Sequence, residues 1–190
     1  PKFFESGKSR KAGNKLAWTG SFLTDRQYGM LFELLQQIQE IRTDMEFYFA
    51  PMGNYEKFRD FAKKYNLRKS EVLELHSRGE WQEFAASCDV GIAVYDPDFG
   101  STEFIEPLKI WDFMVCGMPF IISCEPSISQ PIKNAGIAYF LAPGNKISDG
   151  KTLSEFLQVE NVERLQSKCV EIAKQYSISR QIETALGRLA

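Results

Sequence analysis

The apolar positions of this chain follow two alternating patterns, short continuous runs and longer segments with helical spacing. Within residues 26–42 the apolar side chains share one helical face, at Leu31, Leu34, Leu35, Ile38 and Ile41. This spacing predicts an amphipathic helix. The runs from Leu16 to Phe22 and from Met45 to Met52 flank that helix, and such runs are typical of buried strands.

The alternation continues along the rest of the chain. Further strands are predicted at residues 72–76, 90–95, 120–122 and 138–141, and further helices at 55–65, 80–87, 128–134, 150–157 and 160–175. Strands and helices in strict alternation are typical of a parallel sheet that is covered by helices on both faces and joined by right-handed crossovers. The predicted fold class is therefore α/β, with a Rossmann-like open parallel sheet.

The chain is predicted to consist of one large domain and two short terminal segments. Residues 1–14 are basic, rich in glycine and serine and without periodicity, so they are predicted to be a linker or tail. Residues 15–177 form the Rossmann-like domain. Residues 178–190 are predicted to be a C-terminal helix, which either caps this domain or crosses to a partner domain. Because the sequence begins at Pro1 without a methionine, we expect a piece of a longer or processed protein.

The segment from Glu106 to Ser123 combines a helix, both of its boundary signals and a strand. Pro107 suits the first turn of a helix, and Gly117 suits the position just past its end, where a left-handed residue closes the last turn. Pro119 prevents the helix from continuing, and the apolar run after it is typical of a strand covered on both faces. Ligands of open α/β sheets bind beyond the carboxyl ends of the strands, where helix N-termini attract anions.

This segment resembles a known family. Its pattern Pro-x-Lys-x-x-(Glu/Asp)-x-x-x-x-Gly-x-Pro, followed by an apolar strand, is similar to the signature of the C-terminal, donor-binding domain of GT-B glycosyltransferases, especially family-4-like enzymes of bacterial polysaccharide assembly. The pattern here consists of Pro107, Lys109, Asp112, Gly117 and Pro119. The resemblance covers residues 15–177.

The resemblance assigns roles to several residues of the motif. It implies that Asp112 takes the place of the acid that hydrogen-bonds the ribose hydroxyls of a nucleotide-sugar. It also implies that the backbone of Glu106, Pro107 and Leu108 faces the diphosphate, together with the Lys109 side chain. An alternative for Lys109 is a helix-surface residue without a ligand.

The loop after the first strand carries a glycine and a cation. Gly20 lets backbone approach a ligand closely, and Thr24 or Asp25 can cap the next helix. In the resembled family this loop lies under the donor diphosphate, which implies a phosphate contact for Gly20 and a catalytic role for Arg26. The alternative for Arg26 is a solvated residue of the first helical turn.

The loop after the third strand contains His76, Ser77 and Arg78, and His76 is the single histidine of the chain. The resemblance implies that the backbone in this loop reads the nucleobase, with Ser77 and Arg78 as donor-binding residues. A lone histidine at a strand end is more often a structural residue than a catalyst. Trp81 is predicted to be part of the core rather than a stacking platform.

The long loop after the fourth strand is predicted to line the donor sugar, since long loops at strand ends often carry function. Family-4 enzymes commonly place a glutamate eight residues before the ribose-binding acid. That position is Phe104 here, so the motif is incomplete. Glu103 lies close to it, either near the donor sugar or as a solvated loop residue.

Composition and net charge argue against several classes of function. The 190 residues carry a net charge of −2, which gives no electrostatic reason to expect a nucleic acid partner. The four cysteines lack metal-ligand spacing, so we expect structural thiols and no metal site. No apolar run is long enough to span a bilayer, and no signal peptide is recognisable. We expect a cytoplasmic location, with the inner face of the membrane as the alternative for the full-length protein.

The leading hypothesis is the donor-binding half of a glycosyltransferase. The donor would be a substrate such as a UDP- or GDP-sugar, and no further cofactor is expected. Lys109 and Arg26 would offset the negative charge of the leaving nucleotide diphosphate by electrostatic catalysis. The acceptor would bind a missing N-terminal domain, which is also where peripheral membrane association would arise. The alternatives are a non-catalytic Rossmann-like nucleotide-binding or interaction module and a sugar-nucleotide epimerase of GT-B shape.

Overall fold

A computed structural model describes residues 13–20, 24–98 and 107–177 of the chain. The strands are β1 (Lys15–Gly20), β2 (Glu46–Pro51), β3 (Ser70–Val72), β4 (Val90–Ala93), β5 (Phe120–Ile122) and β6 (Ala138–Phe140). The helices are α1 (Asp25–Ile41), α2 (Tyr55–Lys64), α3 (Arg78–Ser87), α4 (Leu108–Val115), α5 (Ser129–Ala135), α6 (Gly150–Phe156) and α7 (Val159–Gln175).

All six strands pair in parallel, in the spatial order β3-β2-β1-β4-β5-β6. The chain starts in the middle of the sheet at β1, runs outward to β3, and then returns to β4 on the other side of β1. The strand order therefore reverses between β1 and β4. In sheets of this type the crevice at such a reversal is the usual ligand site. The predicted α/β class with an open parallel sheet is confirmed.

The core lies on both faces of this sheet. Every residue of β4 and β5 is buried, as expected for central parallel strands. A cluster of aromatic rings joins β1 and β2 to the helices α1 and α2, and its members are Trp18, Tyr28, Phe32, Phe49 and Phe58. This cluster anchors the strand ends that form one side of the crevice.

Helix α4 lies close to β4 because of one glycine. A Cβ atom placed on Gly91 would lie 2.5 Å from Cδ2 of Phe113, so a larger residue there would push the helix away. Gly117 has a φ of 71° and ends α4 in the left-handed conformation, which confirms the predicted helix stop. Pro107 is the N-cap rather than a residue of the first turn, and the helix begins at Leu108.

The predicted third strand was misplaced. The structure has β3 at Ser70–Val72, whereas the prediction was 72–76. Because β3 is the edge strand, its first two residues are exposed and polar, and an apolar-run criterion misses them. The other predicted strands and helices overlap the observed ones, with ends that differ by a few residues. Of the predicted linker and C-terminal helix, residues 1–12 and 178–190 lie outside the described residues.

Candidate functional site

A cavity of about 410 Å³ lies at the carboxyl ends of β1 and β2, against the N-termini of α3 and α4. Its lining consists of Thr19, Gly20, Ala50, Pro51, Met52, Leu75, His76, Ser77, Trp81, Lys109 and Asp112. Four of the residues predicted from the sequence meet here, namely Gly20, Ser77, Lys109 and Asp112. They come from three separate chain segments, so the tertiary structure brings together what the sequence keeps far apart.

Gly20 provides the space that the Lys109 side chain occupies. A Cβ atom at Gly20 would lie 3.2 Å from Nζ of Lys109 and 3.1 Å from Cζ2 of Trp18. The absence of a side chain therefore lets the ammonium group reach the end of β1. The Gly20 carbonyl accepts a hydrogen bond of 2.8 Å from the backbone N–H of Met52, which ties the ends of β1 and β2 together.

Lys109 is partly buried between two aromatic rings. Its Nζ lies 5.2 Å from the ring centroid of Trp18 and 5.2 Å from that of Tyr95, within the range of cation–π attraction. Tyr95 is held in place by its backbone N–H, which donates to the Ser123 hydroxyl at 2.7 Å. Burial lowers the pKa of Lys109 to about 8, while Cys124 acts in the opposite direction with a smaller effect. An anionic ligand next to this ammonium group would raise its pKa again.

Asp112 follows Lys109 by three positions on α4, which places both side chains on the same side of the helix. Both line the cavity and are partly buried. A cation and a carboxylate therefore stand next to each other on one wall. This pair suits a ligand that has both negative charge and hydroxyl donors.

The N-terminus of α3 is held by a capping box. The Ser77 hydroxyl accepts a hydrogen bond from the backbone N–H of Glu80 at 3.1 Å, and the Glu80 carboxylate accepts from the backbone N–H of Ser77 at 3.2 Å. The backbone N–H of His76 donates to the same carboxylate at 2.6 Å. His76 lines the cavity, and its side chain is exposed.

Arg26 stands outside the cavity lining. Its Nε lies 3.3 Å from Oδ2 of Asp96, and its Nη2 donates to the carboxylate of Asp98. The hydrogen bond with Asp98, together with the charge of both carboxylates, raises the pKa of this guanidinium. Two carboxylates thus compete with any phosphate for Arg26, and its catalytic role stays a prediction.

The remaining predicted residues occupy different positions. Pro107 is buried at the start of α4, whereas the Leu108 side chain is 76% exposed and does not line the cavity. Arg78 is the first residue of α3. Glu106 and Glu103 lie outside the described residues. The contacts of Pro107, Leu108 and Arg78 with a donor stay predictions.

Sequence reasoning missed the apolar wall of the cavity, above all Trp81. This residue was predicted to be part of the core, and it does pack against the core. It also lines the cavity, and its indole N–H donates to the Thr19 hydroxyl at 2.8 Å. Pro51, Met52 and Leu75 also line the cavity. No sequence signal marks these residues, since the 80% exposure of Met52 is known only from the structure.

In the described part of the chain, no group of three or more histidine, cysteine, aspartate or glutamate side chains is placed to hold a metal ion. None of the four cysteines, all of which lie within the described residues, forms a disulfide, and Cys88 and Cys169 are buried. None of the helices within residues 13–20, 24–98 and 107–177 has the length and apolarity required to cross a membrane.

Neither a protein-family model nor a curated protein sequence matches the chain. Solved structures do match. S. aureus TarM, in a complex that contains UDP, superimposes with a TM-score of 0.66 and 13% identity over 95% of this chain and 37% of TarM. WaaG, a glycosyltransferase involved in lipopolysaccharide biosynthesis, gives 0.64 and 15% identity over 96% of this chain and 48% of WaaG.

Anabaena HepE in complex with UDP-glucose gives a TM-score of 0.64 with 11% identity, over 93% of this chain and 49% of HepE. The chain thus spans about half or less of the length of these neighbours. They are GT-B glycosyltransferases, so the resemblance carried by the motif is confirmed at the level of the fold. The chain has the Rossmann-like α/β fold that forms one half of a GT-B glycosyltransferase.

Proposed function

We propose that this chain is the donor-binding half of a glycosyltransferase that binds a nucleotide-diphosphate sugar and serves the transfer of its sugar to a glycan or lipid-linked acceptor, in polysaccharide biosynthesis. The observation that carries the proposal is the cavity at the carboxyl ends of β1 and β2, which joins Gly20, Lys109 and Asp112. The glycosyltransferase fold of the neighbours supports it.

The phosphate and the ribose of a nucleotide-sugar each have a matching group in this cavity. Because Gly20 has no side chain, the partly buried ammonium of Lys109 reaches the end of β1, where it supplies positive charge for a phosphate. The Asp112 carboxylate accepts hydrogen bonds from ribose hydroxyls. These are the roles that the motif implied, and the three groups now line one space.

The chemical step is proposed to depend on charge stabilisation. As the glycosidic C–O bond breaks, negative charge grows on the leaving nucleotide diphosphate, and a cation in a low-dielectric site lowers the barrier. We propose that Lys109 is this cation. The acceptor, and the groups that activate it, would come from the part of the longer protein that corresponds to the other half of the neighbours.

The test is a nucleotide panel with Asp112 variants. UDP, GDP, ADP, TDP and CMP are added to the protein at millimolar concentration, and unfolding is followed by thermal shift. A ligand at 100 times its Kd stabilises the fold by about 2.7 kcal/mol. We expect a diphosphate to raise the Tm of the parent, and Asp112→Ala and Asp112→Asn to lose about 10-fold in affinity, because bonds to charged groups contribute about 1.5–3 kcal/mol each.

Glu155→Gln is the matched control, since Glu155 is an exposed acid of α6 outside the cavity lining. Equal binding by the parent and both Asp112 variants would contradict the ribose assignment. Activity is then measured with the full-length protein and a labelled sugar nucleotide. Sugar transfer supports the proposal, whereas epimerisation, or binding without any turnover, would replace it with one of the alternatives.

A further inference from the structure

The cavity has two chemically different walls, and the proposed function uses only one of them. Gly20, Lys109 and Asp112 form the polar wall. The apolar part of the lining, called the apolar wall here, consists of Ala50, Pro51, Met52, Leu75 and Trp81. An apolar wall of this kind fits a flat and poorly solvated group better than it fits a phosphate or a sugar.

Trp81 is the large planar side chain of the apolar wall. It lies in the first turns of α3, and its indole Nε1–H donates to Oγ1 of Thr19 at 2.8 Å. Thr19 is buried near the end of β1, with 8% of its surface exposed. Because the indole N–H lies in the plane of the ring, this hydrogen bond fixes one ring edge without occupying either ring face.

Two backbone N–H groups next to the apolar wall already have hydrogen-bond partners. The N–H groups of His76 and Ser77 both donate to the carboxylate of Glu80, at 2.6 and 3.2 Å. A planar ligand could take these two donors only by displacing Glu80 and opening the capping box of α3. Contact through ring faces leaves the cap intact, so the structure favours stacking over edge recognition by these two donors.

We propose that Trp81 is the stacking platform for the nucleobase of the donor and that Thr19 is the positioning residue that holds its ring. This inference rests on the proposed function and names how that site binds the base. Every base has a π face, so stacking contributes affinity for purines and pyrimidines alike. Inorganic pyrophosphate has no ring and would gain nothing from Trp81.

The test compares ligands with and without a base. Binding of UDP, GDP, ADP and inorganic pyrophosphate is measured by calorimetry for the parent, Trp81→Leu and Trp81→Phe. We expect Trp81→Leu to weaken the three nucleotides by about 10-fold and to leave pyrophosphate unchanged. Trp81→Phe keeps an aromatic face and should restore most of the lost affinity. Phe84→Leu is the matched control, since Phe84 is a partly buried aromatic residue of the same helix outside the cavity lining.

The role of Thr19 is tested by fluorescence. The chain has three tryptophans, and of these Trp81 is the one that lines the cavity, whereas Trp18 and Trp111 do not. UDP should therefore quench part of the tryptophan emission of the parent, and Trp81→Phe should abolish this quenching. Thr19→Val removes the hydrogen-bond partner of Trp81, so both the quenching and the nucleotide affinity should fall while pyrophosphate binding stays the same.

Two results would overturn the stacking role. One is an equal loss of nucleotide and pyrophosphate affinity in Trp81→Leu, which would make Trp81 merely structural. The other is unchanged nucleotide affinity in that variant. A failure of the proposed function would look different, because the parent itself would then bind none of the four ligands.

Discussion

The two cations that the sequence singled out, Lys109 and Arg26, have opposite surroundings. Lys109 lies partly buried between the rings of Trp18 and Tyr95 and faces the cavity. Arg26 lies on α1, exposed, between the carboxylates of Asp96 and Asp98. The pKa of Lys109 is lowered by burial, whereas the pKa of Arg26 is raised, first by its hydrogen bond with Asp98.

This difference shows which cation is available to a ligand. Burial removes water from the Lys109 ammonium group, and the two aromatic rings compensate for this loss only in part. A bound anion would therefore stabilise the charged form of Lys109. Arg26 already has two anionic neighbours, and a phosphate would have to compete with them. The sequence analysis gave both residues the same predicted catalytic role, and only their surroundings in the structure distinguish them.

The largest effect is expected from Lys109→Met. Removing the charge should weaken UDP or GDP by about 10- to 100-fold, since charge-assisted hydrogen bonds contribute about 1.5–3 kcal/mol. A nucleoside without phosphates should bind almost as before. Lys133→Met is the matched control, because Nζ of Lys133 also lies over a ring, that of Phe140, but outside the cavity lining. Equal losses for nucleoside and diphosphate would contradict a phosphate role.

A pH titration should give an intermediate effect. The pKa of Lys109 is about 8 in the folded chain against an ordinary value of 10.5, so the unfolded chain binds more protons between these values. The contribution of Lys109 to stability therefore rises as pH increases from about 8 to 10.5, because the buried charge is lost. Diphosphate affinity should fall over the same window.

The pH comparison needs Lys109→Met as its reference, since cysteine and tyrosine side chains also titrate in alkaline solution. Subtracting the variant from the parent isolates Lys109. The difference should show stability and diphosphate affinity changing in opposite directions, as measured by chemical unfolding and by calorimetry. A flat difference in both would mean that Lys109 does not titrate in this range.

The smallest effect is expected from Arg26→Met. Because Asp96 and Asp98 compete for the guanidinium, we expect diphosphate affinity to change by less than about threefold, below the loss of one ordinary hydrogen bond to a charged group. Calorimetry with UDP and GDP measures this change. A loss as large as that of Lys109→Met would show that Arg26 leaves its carboxylates for the donor, and would support its predicted catalytic role.

The central fold was predictable from local patterns. Runs such as Phe120 to Ile122 lie in the buried middle of the sheet, where apolar continuity and strand position coincide. Helix α4 was predictable for another reason, since Pro107 and Gly117 mark its ends through backbone chemistry alone. The edge strand β3 was misplaced because an exposed strand has no need for continuous apolar residues.

The candidate site, like the fold, was predictable from the sequence only in part. Gly20, Ser77, Lys109 and Asp112 were found from their motif and loop positions, and the structure places all four around one cavity. Trp81 was predicted only as a core residue, and it does pack against the core, but its place in the cavity lining was not predicted. What makes it a cavity residue is the hydrogen bond to Thr19, a residue 62 positions earlier.

By itself the sequence determined the order of strands and helices, the ends of α4 and the resemblance to a donor-binding domain, because each depends on residues close together in the chain. The tertiary structure alone decided which side chains share the cavity, which cation is paired, and which pKa values move. These depend on burial and on distances between remote segments, and such distances are set only when the sheet brings the strand ends together.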